Sequence, residues 1–156
     1  MPRGIVRSIT AATLVAGTLD ILAATGLTLF YARRTVADML RGVASGPFPA
    51  ATEWGASGAA LGLAVHFALM AIMAAVYFLA AARLPALRAR PALWGVLYGL
   101  ATYVVMNLIV VPLRFAGAFP PSPRSVFTQL FCHLFLVGIP IALIAARHFR
   151  RRSAFA

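Results

Sequence analysis

The fold class predicted for residues 1–156 is an all-α, polytopic membrane protein. It is a bundle of four transmembrane helices with a short interfacial helix in the first outer loop. Three observations predict it. Four apolar runs, Ser8–Ala32, Ala56–Ala82, Ala92–Phe115 and Val126–Ala146, are each 21 to 27 residues long, and about 20 apolar residues cross the ~30 Å hydrocarbon core of a bilayer. The composition is 62% hydrophobic and 11% charged with a mean hydropathy of +0.91, which suits neither a soluble domain nor a disordered chain. The arginines sit at the ends of the runs, so little chain remains for anything beyond one helical domain.

The first run follows Arg3 and Arg7, a short basic stretch like that of a signal peptide. Its apolar part, about 25 residues, exceeds the 7–15 of a signal core, so it is read as a retained helix. It ends at Tyr31, Arg33 and Arg34, residue types suited to the headgroup layer. In Thr35–Ser45, Val36, Met39, Leu40 and Val43 recur at helical spacing, and Thr35 with Asp38 resembles a capping box. The result expected is a short surface helix ended by Gly46-Pro47, serving as a shield for the bundle's end or as a lid over what lies beneath.

Trp54 marks the next interface, and the second helix runs to Arg83. The connection Leu84–Arg90 is short, which makes helices two and three an antiparallel hairpin. Pro91 and Trp94 open the third helix. Pro112 removes the backbone bond to Leu108 and should bend or loosen the last turns. Three prolines crowd Ala116–Arg124, and Ser122-Pro123 reads as a cap followed by proline at the first helical position. Gly138 and Pro140 predict a kink in the fourth helix. The lone Cys132 supplies no disulfide framework and is read as an apolar filler.

All 14 basic residues are arginine, and the formal net charge is +11. Nucleic acid is not the expected partner, because these arginines lie singly or in short runs beside apolar helices. The expected partner is the lipid bilayer, with a second copy or another membrane protein as further candidates. Nine arginines fall before helix one, between helices two and three, and after helix four, against five in the other two loops. Positive-inside asymmetry therefore puts both termini in the cytoplasm, in a bacterial inner membrane.

Each apolar run carries one awkward polar residue: Asp20, His66, Asn107 and His133. Ionisable groups at that depth must face the bundle interior and find a partner. At 1.5 Å per residue, Asp20 lies roughly 16 Å below Tyr31 and His66 roughly 18 Å below Trp54. On the same rise Asn107 lies about 10 Å below Arg114 and His133 about 13 Å below Arg124. The four levels agree, so Asp20 is expected to contact His66, with Asn107 and His133 completing a buried cluster that Tyr103 and Gln129 extend.

Small residues share the polar stripes: Ala12, Ala16, Ala24, Thr13 and Gly17 around Asp20, Gly58 and Gly62 before His66, and Gly95 and Gly99 before Tyr103 and Asn107. Such stripes let membrane helices approach closely, so these four glycines are expected at helix crossings. His148, amid terminal arginines, reads as a solvated surface residue.

Several functions fit this pattern. The cluster can be interhelical hydrogen-bond glue. An Asp–His pair can instead titrate near neutral pH and couple a proton or small solute to conformation. No cofactor is predicted, but His66 and His133 could supply axial ligands to a b-type haem, and with Asp20 they form a two-histidine, one-carboxylate metal set. An accessory or scaffold subunit of a membrane complex is a third class. Enzymatic chemistry is not expected: there is no HExxH, no GxSxG and no phosphate loop, and no catalytic residue is assigned.

The stretch from His66 to the C-terminus resembles the YagU-like group of small bacterial inner-membrane proteins. The residues carrying the likeness are His66-Phe67, Tyr77, Pro85, Trp94-Gly95, Tyr98-Gly99, Met106-Asn107, Pro112, Pro120-Pro121 and Cys132-His133-Leu134. The first loop is shorter here, and Asn107 stands where that group carries a more basic side chain. The resemblance implies location and four-span architecture, and it brings no activity with it.

Overall fold

The first long helix, α1, spans Pro2–Tyr31. It begins earlier than the apolar run because Arg3 and Arg7 do not break a helix; they add polar turns to its start. The computed structural model describes residues 2–31 and 34–153, which are helices, turns and short connections with no strand among them. Four helices are long and apolar enough to cross a membrane: Gly4–Tyr31, Gly55–Arg83, Pro91–Arg114 and Pro123–Arg151. The chain is an integral membrane protein, a four-helix bundle in which the start of the first span and the end of the fourth lie together, Ser8 beside His148.

After α1, the short helix α2 runs Val36–Ala44 and opens with the expected capping box. The Thr35 hydroxyl accepts from the Asp38 backbone N–H at 3.1 Å, and the Thr35 backbone N–H donates to the Asp38 carboxylate at 3.0 Å. A 3-10 turn, Pro49–Glu53, leads into α3, Gly55–Arg83. Gly55 takes a positive φ of 56°, which a side chain would oppose. Helix α4, Pro85–Ala89, turns the chain into the third span.

The third span is α5, Pro91–Tyr103, a π-helical stretch, Val104–Val110, and α6, Val111–Arg114. The fourth is α7, Pro123–Phe131, a second π-helical stretch, Cys132–Gly138, and α8, Ile139–Ser153. Both stretches precede a proline, and their physical origin is shared. Pro112 and Pro140 lack the N–H that would hold the preceding turn. The residue before each bonds five positions back instead: Val111 to the Met106 carbonyl and Ile139 to the Leu134 carbonyl. The loosening expected at Pro112 and the kink expected at Pro140 are thus taken up as wider turns.

The fourth span is the hub. It packs against α1, α3 and α5, whereas the third span leans chiefly on the fourth. Gly95 and Gly99 of α5 meet Gly138, Ile139 and the His133–Leu134 backbone, so main chain touches main chain at this crossing. The apolar core fills the half of the bundle nearer the termini. Ala12, Ala16, Ala74, Phe78, Val137, Ile141 and Ala142 are fully buried there. In that half Tyr98 Oη donates to the Met73 carbonyl at 2.7 Å and joins the third span to the second.

Gly58 and Gly62 find a different neighbour. A Cβ at Gly62 would strike the Leu40 carbonyl of α2, and one at Gly58 would strike the Ala51 carbonyl. The second span's small face therefore receives the first loop and not another span. Two bare glycines one turn apart leave a trough that a short, half-buried helix can fill, so α2 is seated in the bundle's end and does more than lie across it.

Candidate functional site

Above the apolar core, three ionisable side chains from three spans converge. α1 brings Asp20, α3 brings His66, and the second π-helical stretch brings His133. His66 and His133 are buried, and Asp20 is half-buried. His66 Nδ1 stands 3.9 Å from Asp20 Oδ2, an electrostatic contact too long for a direct hydrogen bond.

The other nitrogen of His66 is already engaged. Its Nε2–H donates to the Gly17 carbonyl at 2.9 Å, tying the second span to the first. A carbonyl can only accept, so Nε2 must carry hydrogen, and a neutral ring then presents the Nδ1 lone pair to Asp20. Gly17 permits this approach. A Cβ there would sit 2.6 Å from the Phe67 ring, which lies beside His66, and the His66 and Phe67 rings meet edge to face at 5.2 Å.

His133 shows the mirror arrangement. Its Nδ1–H donates to the Gln129 carbonyl, four residues back in its own helix, at 2.9 Å, so Nε2 is the nitrogen left to titrate. Asp20 lies within electrostatic reach of this ring as well as of His66. Tyr103 is buried with its ring edge-on to His133 at 5.9 Å. Asp20 receives no hydrogen bond from any described residue. Thr13, two turns before Asp20 on α1, is buried with its hydroxyl unpartnered among the described residues.

The six residues expected in the cluster are not all joined. Asp20, His66 and His133 form the centre, and Tyr103 packs on it. Gln129 enters through its backbone carbonyl, and its half-buried side chain makes no hydrogen bond to the other five. Asn107 is half-buried, with no hydrogen bond to the cluster among the described residues. Its stretch, Val104–Val110, buries no residue, because the third span contacts mainly the fourth and diverges beyond the Gly99 crossing. Equal depth along four helices does not imply a shared interior.

Two acceptors escaped the sequence reading, the carbonyls of Gly17 and Gln129. Main-chain acceptors carry no residue signature, although Gly17 stands in the small-residue stripe beside Asp20. His148 is a correction. It is half-buried, its Nδ1 lies 2.9 Å from Ser8 Oγ, and its ring packs between Phe78 and Phe149. The side chain thus fastens the fourth span to the first, and its place at the α1–α3–α8 junction outweighs the arginines around it in sequence.

Near α2, the Asp38 carboxyl is held below the ordinary carboxylate range. The Thr35 hydroxyl contributes most, then the Thr35 backbone N–H and the paired Arg41 guanidinium. Arg114 reaches across from the third span, donating to the Gly46 carbonyl at 2.8 Å and the Ser45 carbonyl at 3.0 Å. A cation thereby satisfies carbonyls at the C-terminal end of α2, where the helix dipole favours it.

Among the described residues, no three His, Cys, Asp or Glu side chains are grouped to hold a metal ion. No family model, curated protein or solved structure matches the chain.

Proposed function

We propose that Asp20, His66 and His133 form a proton-binding site that couples protonation to the packing of the first, second and fourth spans. The host would be a bacterial inner membrane, with both termini in the cytoplasm. The YagU-like character of the segment after His66 fits that architecture and supplies no activity. One observation carries the proposal: each histidine commits one nitrogen to a backbone carbonyl and keeps the other for exchange beside a carboxylate that has no donor of its own.

Adhesion between helices explains less of this geometry. The interhelical bond from His66 to Gly17 does not use Asp20, and the His133 bond stays within its own helix, gluing nothing. A carboxylate in an apolar span is costly when its only recourse is a nearby imidazole. Protons shared between such coupled groups bind in steps that belong to the set. Haem ligation through His66 Nε2 would first require the bond to Gly17 to break.

The test is an infrared titration of the protein in lipid nanodiscs. The chain has only three acidic side chains, Asp20, Asp38 and Glu53, so carboxyl bands are assignable. The expected result is a pH-dependent carboxyl band that disappears in Asp20→Asn and shifts in His66→Gln. An identical titration in wild type and Asp20→Asn would refute the proposal.

A further inference from the structure

A groove of about 420 Å³ lies between the first and fourth spans, lined by Ala23, Leu27, Phe127, Thr128, Phe131 and Cys132. We infer that it holds one acyl chain of an anionic phospholipid, with the lipid phosphate on Arg124. The inference does not rest on the proton-binding reading.

The walls are two rows at helical spacing. On α1, Tyr31, Leu27 and Ala23 follow one another every fourth residue; on the fourth span, Arg124, Thr128 and Cys132 do the same. At the α2 end the rows meet, with the Arg124 guanidinium over the Tyr31 ring at 5.1 Å. At the other end they close on Cys132, buried beside His133, with Asp20 three residues before Ala23. The lined stretch, Ala23 and Leu27 against Phe127 to Cys132, covers about 6–8 Å of helix rise, roughly half the depth of one leaflet of a ~30 Å core, so the groove grips the part of the chain nearest the headgroup.

The lining is almost wholly apolar. Thr128 turns its hydroxyl back to the Arg124 and Ser125 carbonyls of its own helix, so no donor waits inside for a polar ligand. A small side chain makes room: Ala23 is a wall residue. Phe127 and Phe131, 76% and 55% exposed, form the rim on the bilayer side.

Charge chooses among lipids. Arg124 is exposed at the mouth, at headgroup level, and Arg34 is exposed three residues after Tyr31. A guanidinium matches phosphate geometry with paired donors, and basic pockets between membrane helices favour anionic headgroups. A zwitterionic lipid offers the same chain and phosphate with a cation that opposes Arg124.

The test is native mass spectrometry of the full, delipidated protein in detergent. It is titrated with phosphatidylglycerol, with phosphatidylcholine of identical chains, and with glycerol phosphate. Wild type should retain one phosphatidylglycerol about tenfold more tightly than phosphatidylcholine, the scale of one charge-assisted contact. Glycerol phosphate should not be retained. Ala23→Leu should lose both lipids by filling the slot. Arg124→Gln, at an exposed position outside the buried core, should equalise them even if Ala23→Leu fails to fold. Equal retention of the two lipids by wild type, undiminished preference in Arg124→Gln, or full retention by folded Ala23→Leu would each overturn the inference. Retention of glycerol phosphate comparable with the lipid would overturn the role of the groove.

Discussion

Replacing Gly99 by alanine sets a single methyl group against the closest crossing in the bundle. The new Cβ would lie 2.7 Å from Leu134 Cα and 2.8 Å from the His133 carbonyl carbon, and nearer still to that carbonyl's oxygen. Ordinary contact begins at 3.4 Å, so the helices must part by about 0.7 Å or more. The neighbours are all backbone, and no rotamer change can relieve the clash. Overpacking costs about 1–3 kcal/mol, and with two main chains in conflict the upper end is expected, about 3 kcal/mol. Gly26→Ala is the matched control. It meets nothing within 4 Å and should gain up to about 1 kcal/mol from helix propensity. Equilibrium unfolding in mixed micelles, read by circular dichroism, should therefore separate the two variants by about 3–4 kcal/mol. A Gly99→Ala protein within about 1 kcal/mol of wild type, on a scale where point changes usually cost 0.5–3, would show that the crossing is looser than described, and the placement of His133 would fall with it.

Gly62→Ala should displace α2 without unfolding the spans, because its Cβ strikes the Leu40 carbonyl; amide exchange across Val36–Ala44 should accelerate at least about tenfold while core exchange stays slow. Arg114→Ala removes two donors from the α2 carboxyl end, and the same amides should lose about 1 kcal/mol of protection. The Asp38 carboxyl is depressed in the folded helix, so its contribution is full above the ordinary carboxylate value near 4 and is lost as pH falls through the lower folded value. Backbone NMR shifts of α2 should therefore move on acidification below about pH 4 in wild type and stay flat in Asp38→Asn; equal movement in both would refute the capping role.

Asp20 and His66 stood out because an ionisable group deep in an apolar run is costly wherever it occurs. Their common depth followed from a constant rise per residue, and the structure sets them 3.9 Å apart. Asn107 satisfied the same depth rule, yet the third span's outer half buries nothing. Depth is one coordinate, and helix neighbours require two more. The glycines were legible as points of close approach, but Gly58 and Gly62 gave no hint that a loop helix, not a span, would come to them.

Length and hydropathy by themselves determined that the chain crosses a membrane four times, because transfer of apolar side chains out of water sums locally along the sequence. The capping box at Thr35 and Asp38 was local too, its partners three residues apart. Tertiary structure decided which helices touch, that the fourth span is the hub, that two prolines widen into π-helical turns, and that backbone carbonyls of Gly17 and Gln129 fix the histidine rings. Those outcomes depend on distances between main chains remote in sequence, and inside a bilayer no pattern of polar and apolar faces records which neighbour each helix meets.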